Sequence, residues 1–137
     1  MTTGGAPRAV PSPVGLAAEW YAHLARGELR FQRCAGCDRW RHPPRHLCAK
    51  CGSDAWEWAA ASGRGILFSW TVTHQAMHPA FTGALPYAIV VVELDEGVRV
   101  VSGVRGIEPA DLRLELPLQA EVEPVDDAIG LVYFRPA

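Results

Sequence analysis

Apolar residues recur at helical spacing in one place, near the start of the chain. Leu16, Trp20 and Leu24 stand four apart, with Ala17 and Tyr21 widening the stripe. That period predicts an amphipathic helix over Pro13 to Ala25. Ser12-Pro13 supplies a cap and a first-turn proline, and Gly27 a stop. So aromatic a stripe on so short a helix needs a large surface to pack on, in its own chain or in a partner. Downstream the period shortens to two. Leu29 to Arg33 predicts a short strand, and Trp56 and Trp58 share one face of another. Ile66, Phe68, Trp70, Val72 and His74 predict one face of a longer strand, ending in a loop over Gln75 to Leu85. Pro86 to Leu94 follows. Its run Ala88-Ile89-Val90-Val91-Val92 is apolar at every position, which predicts burial on both faces. Asp95-Glu96-Gly97 turns the chain into Val98 to Val104. Gly106 to Leu114 reads as a short helix or irregular link before the strands Leu118 to Val125 and Leu131 to Arg135.

The expected fold is therefore mainly β: an N-terminal helix, a small cysteine-bearing lobe, then a five-stranded Greek-key barrel of the OB kind. Barrel closure removes the exposed strand edges that so small a domain could not otherwise protect. The expected division is a flexible leader over 1–13, the helix over 14–28, the cysteine lobe over 29–55 and the barrel over 56–137.

The cysteine lobe carries the sharpest chemical signal. Cys34, Cys37, Cys48 and Cys51 read C-x2-C-x10-C-x2-C. Two residues between paired cysteines let the backbone curl until both sulfurs face one point, and two such knuckles suit one tetrahedral zinc. Gly36 and Gly52 stand where the knuckle turns need room or positive φ. The same four thiolates would hold iron in a rubredoxin-type centre. Two disulfides or four free thiols are the other readings, and disulfides need an oxidising compartment. A site filled by four protein ligands has no open position for substrate, so it folds a lobe and performs no chemistry. His42 and His46 lie near it, but the four cysteines already complete the set.

Composition narrows the class. At 137 residues the chain suits one domain or two very small ones, and a net charge of −2 argues against bulk nucleic-acid binding. No apolar run approaches a membrane span, and Met1–Pro13 lacks the apolar core of a signal peptide, which reads as a cytoplasmic protein. The charge is uneven. Arginines, among them Arg33, Arg39, Arg41 and Arg45, crowd the cysteine lobe, while acidic residues gather in the C-terminal half. The cations either offset a four-thiolate centre of net charge near −2 or face an anionic ligand such as a nucleotide-containing cofactor. The loop after the first barrel strand, where OB barrels commonly bind ligands, offers His74, His78 and Phe81. His74 reads equally as a polar strand end and Phe81 as an anchor for the loop. No nucleophile elbow, P-loop or dinucleotide fingerprint is present, and Asp126-Asp127 and Glu93-Asp95-Glu96 sit at turns. No catalytic residue is therefore assigned.

The order of these features resembles the DUF35 family. The stretches carrying the resemblance are "RFQRCAGCDRWRHPPRHLCAKCGS", "WEWAAASGRGILFSWTV" and "LPYAIVVVELDEGVRVVSGV", with Gly27, Pro43-Pro44, Gly63-x-Gly65, Pro86-Tyr87 and the Gly97 hairpin in sequence. The resemblance runs from about Leu16 to the end. One departure is Asp38, where the family commonly has glycine after the first cysteine pair. The resemblance implies a rubredoxin-like zinc ribbon plus OB fold and a place in acyl-CoA metabolism. It implies a thiolase-fold, lipid-transfer-protein-type partner acting as an aldolase or a thiolase on an acyl-CoA, from a steroid side chain in the aldolase case, with the catalytic residues on that partner. Arg39, Arg41, Arg45, His74, His78 and Phe81 are then the candidate contacts to coenzyme A. A MaoC-like enoyl-CoA hydratase as partner, or a free-standing OB module stacking single-stranded nucleic acid on Phe68 and Trp70, are the alternatives.

Overall fold

The computed structural model describes Val10–Ala137. The expected leader therefore falls largely outside the described residues. Helix α1 spans Leu16–Ala25, three residues shorter at its start than expected. Gly15 is the reason: at φ 63° and ψ −136° it cannot continue a helix back towards Pro13, although its carbonyl accepts the first backbone bonds, from Ala18 and Glu19. No side chain caps this end. Strands β1 (Arg30–Cys34), β2 (Trp40–Arg41) and β3 (Trp56–Ala60) form a three-stranded antiparallel sheet with β1 in the middle. Strands β4 (Arg64–Thr73), β5 (Tyr87–Leu94), β6 (Arg99–Val104), β7 (Pro117–Pro124) and β8 (Gly130–Pro136) close a barrel in the order β4-β5-β6-β8-β7. Its one parallel pair is β6 with β8. The chain is thus mostly strand, with an N-terminal helix, a ribbon and a closed OB-type barrel.

Two sequence expectations for the barrel need correction. Ile66, Phe68, Trp70, Val72 and His74 do not share a face. A bulge between Leu67 and Ser69 breaks the period. Leu67 pairs with Val92, Trp70 with Val90 and Val72 with Ala88, so these three face inward. Ile66 is turned the other way, opposite Glu93, and Phe68 is left on the surface. Nor is β5 buried on both faces. Ala88, Val90, Val92 and Leu94 fill the core, while Ile89 is exposed and Val91 half-buried. The outer face of β5 and β6 is apolar but uncovered: Val101 is 69% exposed.

The helix packs on its own chain. Trp20 and Leu24 are buried in a core that continues through Phe31 of β1 into Leu67, Val90, Val100, Leu118 and Phe134 of the barrel. Trp58 in β3 ties the ribbon to the helix by donating its indole N–H to Glu19 at 3.1 Å. The tightest point is Gly130 at the start of β8. A Cβ there would lie 2.2 Å from the Leu24 carbonyl carbon and 2.3 Å from its oxygen. Since backbone cannot yield as a flexible side chain can, Gly130→Ala is expected to cost about 3 kcal/mol. Gly83→Ala, which would meet nothing within 4 Å, is expected to stay within about 0.5 kcal/mol. Urea midpoints of the two variants check both values.

Candidate functional site

The two cysteine knuckles are built alike. The Asp38 N–H donates to the Cys34 carbonyl at 2.9 Å, and the Gly52 N–H to the Cys48 carbonyl at 2.8 Å. Gly52 has φ 77° and Asp38 has φ 64°. Asp38 therefore holds the left-handed conformation that a glycine would hold, and aspartate is among the few residues that tolerate it. The departure from the family pattern leaves the turn intact. Gly36 supplies room, since a Cβ would crowd Ser53 and the Cys51 sulfur. The four Sγ atoms lie within 4.8 Å of one another, with Cys34–Cys51 at 3.5 Å and Cys37–Cys48 at 3.7 Å. A tetrahedron of Zn–S bonds near 2.3 Å has edges of about 3.8 Å, so the donor set and spacing fit one such ion. The sulfurs are too far apart for disulfides, and all four are free thiols. Backbone N–H groups of Cys51 and Lys50 bring the Cys48 thiol down to about 6, which favours the ligating thiolate. The Ser53 amide pulls Cys51 the same way, but sharing a proton with Cys34, burial and the neighbouring sulfurs leave it raised to about 11.

Beside this centre lies a cleft of about 240 Å³ between ribbon and barrel, lined by Arg39, Arg41 and Arg45 from the ribbon and by Val98 and Arg99 from β6 and its turn. Gln32 organises it. This residue is fully buried, and its Oε1 accepts from Arg41 Nε at 2.9 Å and from the Arg45 N–H at 2.7 Å. Arg41 also donates Nη2 to the Arg45 carbonyl at 2.8 Å, while its Nη1 has no partner.

A second, larger cavity of about 870 Å³ runs over the outer wall of β5, β6 and β8. Ile89, Val101 and Tyr133 line it, with Trp20, Tyr21 and Pro43 on the helix and ribbon side and Phe81 and Tyr87 on the loop side. Phe81 stacks on Tyr87 at 5.3 Å between ring centroids. His42 and Arg99 line both cavities, so the two meet at these residues. His42 sits between Trp20 at 4.7 Å and Phe31 at 5.1 Å. Burial, aided by the charge of Arg45, depresses its pKa to about 4, so it is neutral at pH 7.

The structure divides the candidate contacts. Arg39, Arg41 and Arg45 converge on the cleft, and Phe81 lines the groove. His78 accepts the Ala80 N–H at 3.0 Å and so caps the short helical turn Pro79–Ala84. His74 is exposed beyond the end of β4. Neither histidine is among the lining residues of the two cavities. The carboxylates at the turns are engaged structurally: Asp126 accepts the Ala128 and Ile129 N–H groups, and Glu96 accepts that of Ser62. Sequence reading missed Gln32 and Arg99. Gln32 carried a faint signal, a polar residue beside Phe31 in a strand with no turn to serve. Arg99 carried none, because its approach to the ribbon is long-range.

Comparison with known proteins covers both lobes. Residues 22–57 match the family model described as ChsH2, rubredoxin-like zinc ribbon domain, and residues 58–123 match ChsH2, C-terminal OB-fold domain. The chain is 38% identical over 118 residues to a probable enoyl-CoA hydratase alpha subunit of Thermomonospora curvata, covering 86% of this chain and 36% of that protein. It is 39% identical over 93 residues to the 3-oxo-4,17-pregnadiene-20-carboxyl-CoA hydratase alpha subunit of Mycobacterium tuberculosis, covering 68% of this chain and 29% of that one. It thus spans about a third of the length of these two relatives. Among solved structures it is similar to the Ltp2-ChsH2(DUF35) aldolase, with a TM-score of 0.83 and 36% identity, over 92% of this chain and 98% of the matched chain.

Two predictions follow from the geometry. Cys48→Ser removes one of four ligands, so it is expected to abolish stoichiometric metal retention and disorder the ribbon, as read by metal analysis and by tryptophan fluorescence. For His42, the folded-state pKa near 4 lies below the ordinary 6.5. Protonation therefore favours the unfolded chain, and stability falls as pH drops from about 6.5 towards 4, by up to about 3 kcal/mol. The stability difference between wild type and His42→Phe, from urea unfolding at each pH, should be flat above pH 6.5 and shift by that amount below it. The difference between the two proteins cancels acid effects at the cysteines.

Proposed function

The chain belongs to the ChsH2 (DUF35) family, and on that premise we propose that it is the zinc-bearing, non-catalytic component of a heteromeric complex acting on an acyl-CoA thioester. In this reading the complex cleaves a β-hydroxyacyl-CoA by a retro-aldol step, and the partner is a thiolase-fold protein of the lipid-transfer-protein type. The observation that carries the proposal is the likeness to the Ltp2-ChsH2(DUF35) aldolase, which extends over 98% of the matched chain at 36% identity. The name of the M. tuberculosis relative, a steroid carboxyl-CoA hydratase subunit, supports a steroid-derived acyl group. The donor set and the match to a zinc ribbon support zinc as the metal. When bound, that ion supplies no chemistry to substrate, because four thiolates fill its coordination.

This chain's own residues then have three tasks. The ribbon and α1 hold the groove wall in place through the shared core of Trp20, Leu24 and Phe31. The apolar outer face of β4, β5 and β6, with Phe68, Ile89 and Val101 exposed, offers the kind of surface that a partner covers. The groove on that face is lined largely by apolar and aromatic side chains and is suited to an acyl or pantetheine arm. The acid and base of the reaction lie on the partner.

A second reading rests on the two hydratase alpha subunits: a complex with a MaoC-like hydratase that adds water to an enoyl-CoA. The chain should be expressed with each class of partner and the complexes separated by gel filtration. A stable complex with the thiolase-fold protein, and aldol cleavage only in that complex, is the expected result. A complex with the hydratase alone transfers the proposal to water addition, and a chain that stays monomeric with both overturns it. Val101→Glu places a charge on the exposed apolar face and is expected to weaken association by about tenfold or more without altering the circular dichroism of the chain.

A further inference from the structure

The barrel closes at β6 and β8 through two residue pairs, Gly103 with Tyr133 and Val104 with Phe134. That end is fastened. The Arg105 N–H donates to the Phe134 carbonyl at 2.8 Å, and the Arg105 guanidinium lies over the Tyr133 ring at 3.7 Å. Towards the start of β6 the pairing stops. Ser102 Oγ donates to the Val132 carbonyl at 2.6 Å where the ladder ends, and Val101, Ser102, Leu131 and Val132 line the groove beyond.

In an antiparallel ladder, successive residues send their backbone N–H and C=O alternately to the partner strand and away from it. The hairpin bond from the Leu94 N–H to the Val98 carbonyl at 2.9 Å sets the alternation for β5 and β6. Val100, opposite Val92, and Ser102, opposite Val90, therefore bond to β5. Arg99 and Val101 point their backbone groups the other way, towards the seam. Among the described residues no strand pairs with them there. Val101 is 69% exposed, so this edge is accessible. Natural edges are blunted by charge, proline or a bulge, and at Val101 and Gly103 this one carries none of these. Trp20 and Tyr21 of α1 line the same groove, but a helix spends its backbone groups on itself and cannot pair with the edge.

We propose that the open edge of β6 at Arg99 and Val101 receives an extended segment of the thiolase-fold partner, which adds to the barrel as a strand and carries an acidic residue at its Arg99 end. Main-chain pairing of this kind supplies affinity, and alternate side chains supply specificity. The edge is continuous with the apolar face of Phe68, Ile89 and Val101, so one partner covers both. Charge fixes the end. Arg99 also lines the cleft with the exposed Arg39 and Arg45, and none of the residues lining that cleft is acidic. The segment takes the seam side of the groove, which leaves the Phe81 and Tyr87 side for an acyl arm. The identity of the partner rests on the subunit reading above.

The test is amide hydrogen exchange, read residue by residue on the zinc-loaded chain alone and in its gel-filtered complex with the thiolase-fold protein. Alone, Val100 and Ser102 are expected to exchange slowly and Arg99 and Val101 fast. In the complex, Arg99 and Val101 should slow by about tenfold or more. Val101→Pro removes the edge donor without touching a bond to β5 or shedding apolar surface. It is expected to weaken association by about tenfold or more, whereas Val101→Leu leaves it unchanged. Zinc content and circular dichroism check that both variants fold, and if Val101→Pro does not, the exchange pattern decides. Arg39→Ala/Arg45→Ala should weaken association by about threefold or more at low salt and less at high salt; unchanged affinity overturns the acidic end. Arg99 and Val101 amides that are slow in the free monomer, that stay fast in the complex, or that slow while Val101→Pro binds at full affinity overturn the pairing alone. Protection that rises with the concentration of the chain by itself gives the edge to a second copy and overturns the partner. A chain that forms no complex overturns the subunit reading and this one with it.

Discussion

Two small β units become one protein because α1 lies directly on β8. The barrel has its own interior, but the three-stranded ribbon sheet contributes only Phe31 to the shared apolar core, and a lobe so small is commonly held by metal. The helix joins the ribbon to the barrel core. Its Leu24 backbone meets Gly130 with no space for a side chain, and its Trp20 reaches across to Phe31 and His42. The metal centre fixes the far end of the ribbon, and the helix fixes the near end against the barrel. The loop carrying His42 and Arg45 is thereby pressed towards the β5–β6 hairpin, and both cavities open along that seam.

Features of short range were legible in the sequence. The cysteine spacing, the knuckle turns and the succession of strands along the chain each depend on residues close in the chain. The Asp38 departure is instructive, because the turn imposes a left-handed backbone and aspartate meets it. What escaped was set by tertiary context. Period two failed in β4 because a bulge at Phe68 re-aims every side chain after it. The apolar run in β5 implied two buried faces, yet one is exposed along the groove. That mismatch, apolar residues where a lone domain would place polar ones, is itself a functional signal visible only after folding.

The candidate site was legible in part for the same reason. Charge counting put Arg39, Arg41 and Arg45 in one set, and folding brings them to one cleft. It could not see that Gln32 would aim Arg41, nor that the barrel would add Arg99. The loop histidines were attractive because OB barrels use such loops, but one of them serves the loop's own backbone.

The electrostatics of the seam bear on how a non-catalytic chain can matter to chemistry elsewhere. Unit charges 4 Å apart interact by about 4 kcal/mol at the effective dielectric of a protein surface and about 1 kcal/mol in water. Arg39, Arg45 and Arg99 are exposed, so their attraction for an anion is weak and screened by salt, whereas Arg41, held by Gln32, is already desolvated. A partner covering the apolar face of β5 and β6 would remove more water from Arg99, which lines both cavities, and so strengthen its attraction for an anion. Coupling is reciprocal, so an anionic ligand at Arg99 would in turn favour the covered state. The uncovered apolar wall and the cationic cleft are then linked through Arg99, which lines both.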